Sequence, residues 1–527
     1  LSYDSDEAKL FFSEQVFPVY EQAVTAAFLL FEKTGKSGYA EQAFLLSEQS
    51  KAAVLAESLR GLQISKQKGV PSDLLQQERE LRRKIARLTV SSLEARDSAQ
   101  TVALRDQIRD GEIALSQLVR KLNANEKYAR LKYGSQPVAL AHLQSKVLDS
   151  ETTLVEYFCG EQHWYAFIIT ANEFRVLRLS ADAIFKNTLS QYQSLLYGHH
   201  SSPQQPVWAN VLYQKLIAPL NIRSEKLLLI PDGELNYLPF EALIGNLNEQ
   251  KYLLHEYRVR YAYSATLLDF FRRQKSKEPS GEMLAMAPFA GQSSRAFRDL
   301  NISPLPASRQ EVEQTGGRIY LESQATKEVF LKTASRYGII HLATHAQADS
   351  KEPLNSYIAF HPQQKDSLSG YRLYTSELYN LELDSVKLVV LSACETGGGQ
   401  LVRGEGVMSL ARGFAYAGCP NIVMTLWRAE DQATAWLTTR LHHYLKKGYE
   451  KDEALYQAKK DYLDEVPAAR RQPYYWANLV LVGDDVPVYA AEQPFWIWGI
   501  LALAALVGGA LVWRKWKGAE KRMTVSG

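Results

Sequence analysis

The sequence predicts an α/β protein: a mainly parallel sheet covered by helices, preceded by an all-helical region and followed by one transmembrane helix. Three observations carry that expectation. From about Thr152, short apolar runs rich in β-branched and aromatic residues alternate with helical stretches, the pattern of strands buried on both faces by crossover helices. Ahead of that point, apolar residues recur at helical spacing. Near the C-terminus, Phe495 to Trp513 runs nineteen residues without a charge, about 28 Å of helix and close to the thickness of a bilayer core.

Composition agrees with a folded chain. Of 527 residues, 46% are hydrophobic and 23% charged, which excludes a disordered chain, a collagen-like chain and a polytopic membrane protein. Three cysteines provide neither a disulfide framework nor a zinc site, so no metal is expected. The net charge of +3 resides in the tail, where Arg514, Lys515, Lys517, Lys521 and Arg522 face only Glu520. The remainder is close to neutral and carries no basic footprint for nucleic acid.

In chain order, residues 1–66 are expected to be helical. Ala40, Ala43, Phe44, Val54 and Leu55 fall on one side of a candidate helix that stops near Gly61, and the stretch resembles the closing helices of a tetratricopeptide array. Residues 67–147 read as an amphipathic hairpin or coiled coil. Leu74, Leu81, Ile85 and Leu88, then Leu104, Ile108, Leu115, Leu118 and Leu122, follow heptad-like steps with a bend near 91–99. A hairpin lying on the next domain and a self-associating coiled coil fit that pattern equally. Residues 148–487 form the α/β unit. Its strands are expected at LVEYF, HWYAFIIT, FRVLRL, KLLLIP, YRVRYAY, EMLAMA, YGIIHLA, SYIAFH, KLVVLSA, NIVMTLW and NLVLVG, with helices at 181–196, 325–335, 406–417, 431–447 and 452–463.

The segment 495–513 is flanked by Trp496, Trp498, Trp513 and Trp516, whose indoles suit the headgroup layer. No Lys or Arg occurs in the fifteen residues before it, and five cations follow. The basic tail 514–527 is therefore expected in the cytoplasm and the large N-terminal part outside it, in the periplasm. A tail-anchored chain with a cytosolic catalytic domain is the alternative. The chain begins Leu1-Ser2 rather than with Met, so an incomplete or processed N-terminus is expected.

Two strands end in reactive residues, where open α/β sheets collect their chemistry. GIIHLAT runs into His345, and LVVLSA runs into Cys394, which Glu395, Thr396 and three glycines follow. A βαβ-type connection over the 49 positions from His345 to Cys394 can set the two strands side by side. A thiolate is the form that attacks a carbonyl, and an adjacent imidazole supplies it at neutral pH. Backbone N–H groups of the glycine-rich turn after Cys394 suit the oxyanion of a tetrahedral intermediate. The remaining candidates read as structural: His341 a hydrogen-bonded core histidine, Cys159 and Cys419 packing residues, Asp232 and Gly233 a turn. His442 and His443 on an exposed helix, and His199 and His200 in a loop, receive no role.

HLATHA, LVVLSACETGGG and GEGVMSLARGFAYAGCPNIVMTLW resemble the CHAT domain, a branch of the caspase-like cysteine peptidases related to separase. Further likeness lies in LVEYFCGEQHWYAFIIT, LLLIPDGELNYLPFEAL, YSATLLDFF and LPASRQEVE, so the resemblance covers about 150–486. It implies a caspase-like fold, with His345 as general base and Cys394 as nucleophile of a dyad that needs no third orienting residue. It also implies an oxyanion hole from the backbone of Ala346, Cys394 and Glu395. Relatives usually carry Gly where this chain has Ala346; alanine keeps the N–H but disfavours positive φ. The strand after the nucleophile implies a substrate pocket at Trp427 and Asp431, where a carboxylate favours Arg or Lys before the cut. A helix N-cap ahead of QATAWLTTRL is the competing role for Asp431, and Glu395 and Glu405 are poorer pocket candidates.

The expected function is a membrane-anchored cysteine endopeptidase that cuts a protein partner and is regulated, through its N-terminal helices, by a further protein. The alternative is a catalytically inactive CHAT-fold scaffold or signalling module at the membrane, for which Ala346 speaks. An acyltransferase or amidase with the same dyad is a third reading. ETGGGQLVRGEG lacks the GK[ST] ending of a phosphate loop, so no nucleotide or other cofactor is expected.

Overall fold

The structure, a computed structural model, describes the chain apart from residues 1–5, 65–66, 68, 96, 135, 199–201, 275–281, 292–301, 364–366, 394–396, 429, 491–507 and 511–527. Cys394, Glu395, His199, His200, the tail 514–527 and, except for 508–510, the expected transmembrane segment lie outside the described residues. No helix among the described residues is long and apolar enough to cross a membrane.

The helical region opens with α1 (Asp6–Thr34), α2 (Ser37–Ser50) and α3 (Ala53–Ile64). Next come α4 (Ser72–Glu94) and α5 (Ser98–Asn123), the latter begun by Asp97, whose carboxylate accepts the Gln100 N–H at 2.6 Å. They pack as a hairpin, close enough at Gly111 that an added Cβ would sit 3.0 Å from Ile85. In α5 the expected seam is buried at Leu115, Leu118 and Leu122. In α4 burial falls instead on Leu75, Ala86 and Val90, while Leu81, Ile85 and Leu88 are half-buried. The reason is that α4 serves two neighbours. Arg79 and Arg83 reach Glu382, and Glu94 accepts from Ser369, so the hairpin lies on the α/β unit.

Among the described residues eleven strands form the main sheet: β1 (Thr152–Cys159), β2 (Trp164–Ile169), β3 (Phe174–Leu179), β4 (Lys226–Ile230), β5 (Arg258–Tyr261), β6 (Met283–Ala287), β7 (Arg318–Leu321), β8 (Ile339–Ala343), β9 (Leu388–Ser392), β10 (Ile422–Thr425) and β11 (Leu479–Val482). Their order is β3-β2-β1-β4-β5-β11-β10-β9-β8-β6-β7. Antiparallel pairing is confined to β1–β2, β2–β3 and β10–β11. Two expectations are corrected. The run SYIAFH supplies Tyr357–Ala359 to a separate three-stranded sheet with Ala346–Gln347 and Arg372–Tyr374. The eleventh main-sheet strand is β7, an incompletely buried edge whose RIYL is too polar to stand out as an apolar run. Within 406–417, Gly406–Ser409 is a strand paired with Gly399–Val402, and the helix starts only where the Ser409 hydroxyl caps the Arg412 N–H.

Side chains alternate across the sheet as pleating requires. Val155, Tyr157, Ala166 and Ile168 enter one core layer, and Leu154, Phe158, Tyr165 and Phe167 enter the other. Helices α6 (Ala307–Glu313), α8 (Asp431–Lys446) and α9 (Lys451–Glu465) cover the first face, and α7 (Leu410–Tyr416) packs Leu410 and Phe414 into the same cluster as Leu391 on the second. The second face is completed by the N-terminal helices. Phe28 lies 4.9 Å from Tyr165, and Phe44 meets Phe167 edge-on at 5.8 Å. The region that resembles tetratricopeptide helices is thus a layer of the α/β core.

Candidate active site

β8 and β9 are parallel neighbours with Ala343 opposite Ser392, and the Thr344 N–H extends the ladder to the Ser392 carbonyl at 3.2 Å. His345 and Cys394 each follow two residues beyond that registered pair. The main chain at His345 is held from the other side as well: its carbonyl accepts the Ala359 N–H at 2.9 Å, and the Thr344 hydroxyl donates to the Ala359 carbonyl at 2.6 Å.

The His345 ring packs on Phe289 at 4.9 Å, and its Nε2 lies 2.7 Å from the Ser303 carbonyl. A carbonyl only accepts, so Nε2 carries the hydrogen and Nδ1 of the neutral ring keeps its lone pair. Burial, helped by the Arg428 cation and opposed by the Ser303 carbonyl, holds His345 below the usual imidazole pKa. At neutral pH the side chain is therefore a base with one nitrogen committed and the other able to take a proton. Sequence reasoning missed Ser303, and no signal was available to find it, because a backbone acceptor leaves no residue-type signature.

Thr425, at the end of β10, grips both flanks of the undescribed tripeptide 394–396. Its hydroxyl donates to the Ala393 carbonyl, and its own carbonyl accepts the Gly397 N–H at 2.8 Å. Ala346 begins a strand opposite Ile358 and is not among the residues with positive φ. Its backbone is one that alanine adopts without strain. The other two cysteines are unsuited to nucleophilic work. Burial raises the Cys159 thiol well above its usual pKa and pushes Cys419 up to about 12, with the Cys419 thiol donating to the Asn421 carbonyl.

Other candidates fall in unexpected places. Trp427, expected beside a substrate pocket, is fully buried, donating its indole N–H to the Tyr474 carbonyl at 3.1 Å and packing on Tyr197 at 5.3 Å. Asp431 is the first residue of α8, not its cap, which is Glu430. The Asp431 carboxylate is half-buried and accepts the Ala307 N–H at 3.1 Å. His341 is a buried, hydrogen-bonded core histidine as expected, but His442 is buried against it rather than exposed.

Glu405 closes the hairpin that follows the tripeptide. Its buried carboxylate accepts from the Val54 N–H at 2.9 Å and from the Arg412 guanidinium at 2.6 Å, and the Ala52 N–H donates to the Gly404 carbonyl at 2.7 Å. Gly404, at φ +79, would place a Cβ 2.5 Å from the Ser50 carbonyl oxygen, so this approach requires glycine. The α2–α3 junction is thereby fastened to the segment that leaves Cys394.

Residues 207–484, more than half of the chain, match the CHAT domain. Tetratricopeptide repeat protein 28 of Homo sapiens is 26% identical over 360 residues, 58% of this chain and 14% of that protein; the Mus musculus protein is 26% identical over 361 residues, with the same shares. The chain thus spans 14% of the length of the curated relatives it matches. Among solved structures, the Saccharomyces cerevisiae separase–securin complex aligns with a TM-score of 0.42 at 10% identity, over 85% of this chain and 40% of that one. At a TM-score below 0.5 that likeness does not bear on what this chain does.

Proposed function

Because the chain belongs to the CHAT domain family, we propose that it is a cysteine endopeptidase that cleaves a protein partner, with Cys394 as nucleophile and His345 as general base. The observation that carries this reading is the arrangement at His345. Its Nε2–H is spent on the Ser303 carbonyl, its Nδ1 has no hydrogen-bond partner among the described residues, and it follows, by two residues, the strand paired in register with the one that leads to Cys394. In this mechanism Nδ1 takes the Cys394 proton, and the thiolate attacks the scissile carbonyl. N–H groups of Ala346, Cys394 and Glu395 stabilise the oxyanion, and the imidazolium returns the proton to the leaving amine. The extended backbone of Ala346 supports its place in that set.

Two further parts belong to the proposal. A protein that binds the N-terminal helices regulates cleavage, supported by the fastening of Ala52 and Val54 to Gly404 and Glu405. Residues 495–513 anchor the chain in a membrane, supported by nineteen uncharged residues flanked by tryptophans, with the N-terminal part on the extracytoplasmic side. The test is cleavage of a mixed peptide pool by wild type, Cys394→Ala and His345→Ala, each compared by mass spectrometry. Both variants are expected to lose all cleavage; either one cutting as well as wild type shows the dyad to be misassigned. Alkaline extraction of membranes carrying the full chain tests the anchor, which is refuted if the protein is released.

A further inference from the structure

Beneath the candidate base lies a buried polar cluster that the dyad does not use. His341 on β8, Glu311 on α6, and Thr438 and His442 on α8 are all 2% exposed or less. His341 Nε2 lies 2.8 Å from Glu311 Oε1, and His341 Nδ1 lies 2.7 Å from His442 Nε2, with the two rings stacked at 4.9 Å. Thr438 Oγ1 lies 2.7 Å from the same Glu311 oxygen. Apolar side chains would fill this space at lower cost in desolvation. We propose that Glu311, His341 and His442, together with Asp431, are positioning residues that hold the Ser303 carbonyl in place and so orient His345; this rests on the reading of His345 as the general base.

The geometry is a ladder with two rungs. The segment from Ser303 to Glu311 runs alongside the segment from His341 to His345. The outer rung is His345 Nε2 to the Ser303 carbonyl at 2.7 Å, and the inner rung is His341 Nε2 to Glu311 at 2.8 Å. Between them the Leu305 N–H donates to the Phe289 carbonyl at 2.8 Å and the Ala307 N–H to Asp431 at 3.1 Å. Ser303 itself lies in irregular chain ahead of α6, which spans seven residues. Among the described residues no strand ladder holds it; its nearest anchors are the Leu305–Phe289 main-chain bond and the Asp431 carboxylate on the Ala307 N–H.

Hydrogen bonding gives the cluster one direction. The Glu311 carboxylate accepts the His341 Nε2–H, so His341 Nδ1 accepts the His442 Nε2–H. His442 Nδ1 then keeps a lone pair and is buried with no hydrogen-bond partner among the described residues. Burial, the neighbouring His341 and then Lys446 keep His442 well below the usual imidazole range, so His442 stays neutral. A carboxylate, two imidazoles and α8 are thereby locked to the strand four residues ahead of His345.

The experiment follows iodoacetamide alkylation of Cys394 by mass spectrometry across pH 5–9, in full-length wild type, His345→Ala, Glu311→Gln, Glu311→Ala and Asp431→Ala. Cys159 and Cys419 serve as internal references. Removing His345 is expected to slow Cys394 about tenfold or more at pH 7, because an unassisted thiol is only a few per cent thiolate there. Glu311→Ala and Asp431→Ala are expected to slow it about three- to tenfold and to move its profile toward that of an ordinary thiol. Glu311→Gln retains the wild-type profile, because its amide oxygen accepts the same N–H. A folded Glu311→Ala protein that is less stable but keeps the wild-type profile overturns the inference. If Glu311→Ala does not fold, Asp431→Ala decides, and a wild-type profile there overturns it equally. If His345→Ala leaves Cys394 unchanged, the dyad itself is refuted and this inference falls with it.

Discussion

Replacing Glu405 with Leu should unseat the joint between the N-terminal helices and the segment that follows Cys394. Arg412 is 1% exposed, and its guanidinium donates to both the carboxylate and the main-chain carbonyl of Glu405, between the rings of Tyr263 and Tyr416 at 5.7 and 5.8 Å. Without the carboxylate a cation is left in the core; breaking a buried pair in this way costs about 3–5 kcal/mol. The ring faces offset only about 0.5–2 kcal/mol of that. The Val54 N–H also loses its acceptor, at about 1–3 kcal/mol. A second change, Arg412→Met, removes the stranded cation and leaves mainly the Val54 term. The double variant is therefore expected to be about 2–3 kcal/mol more stable than Glu405→Leu alone. Urea unfolding of wild type, both single variants and the double variant, followed by circular dichroism, measures the cycle. Losses that add within about 0.5 kcal/mol would show that the pair does not act as a unit.

Phe44→Ala tests whether α1–α3 belong to the α/β core. Phe44 is fully buried against Phe167 and Phe174, so a loss of about 3–5 kcal/mol is expected, with strands and helices melting together. A separate early transition confined to the helices would refute the shared layer. The proton affinity of His345 can be read by histidine-selective NMR in Cys394→Ala, where no thiolate is present. Burial and Arg428 set its midpoint below 6.5, and a midpoint at or above that value would contradict the environment described. The sign for stability follows. An imidazole depressed on folding contributes stability that is present above the unfolded pKa near 6.5 and lost as pH falls through the folded value. His442, lowered further by burial, acts in the same direction, so thermal stability should fall on acidification from pH 7.

Sequence patterning carried most of the fold because burial on both faces demands nearly unbroken apolar strands, and ten of the eleven expected runs enter the main sheet. Failures arose where burial is partial or shared. β7 alternates polar and apolar residues at an edge, and the α4 stripe shifted because that helix packs on both α5 and the α/β unit. His442 illustrates the same limit. A histidine beside a lysine-rich helix end gives no hint that a second imidazole will lie 2.7 Å away across 101 residues.

What the sequence by itself determined is chemistry that depends on residue type and local order: the α/β class, the two strand ends bearing His345 and Cys394, and the uncharged C-terminal segment. Only the tertiary structure decided what depends on long-range approach and on backbone atoms. It put the Ser303 carbonyl on His345, Glu311 beneath His341, and Glu405 between the N-terminal helices and Arg412. The physical reason is that a carbonyl oxygen is present at every residue, and a carboxylate finds its partner through space. Neither the acceptor nor the partner is written in the spacing of side chains along the chain.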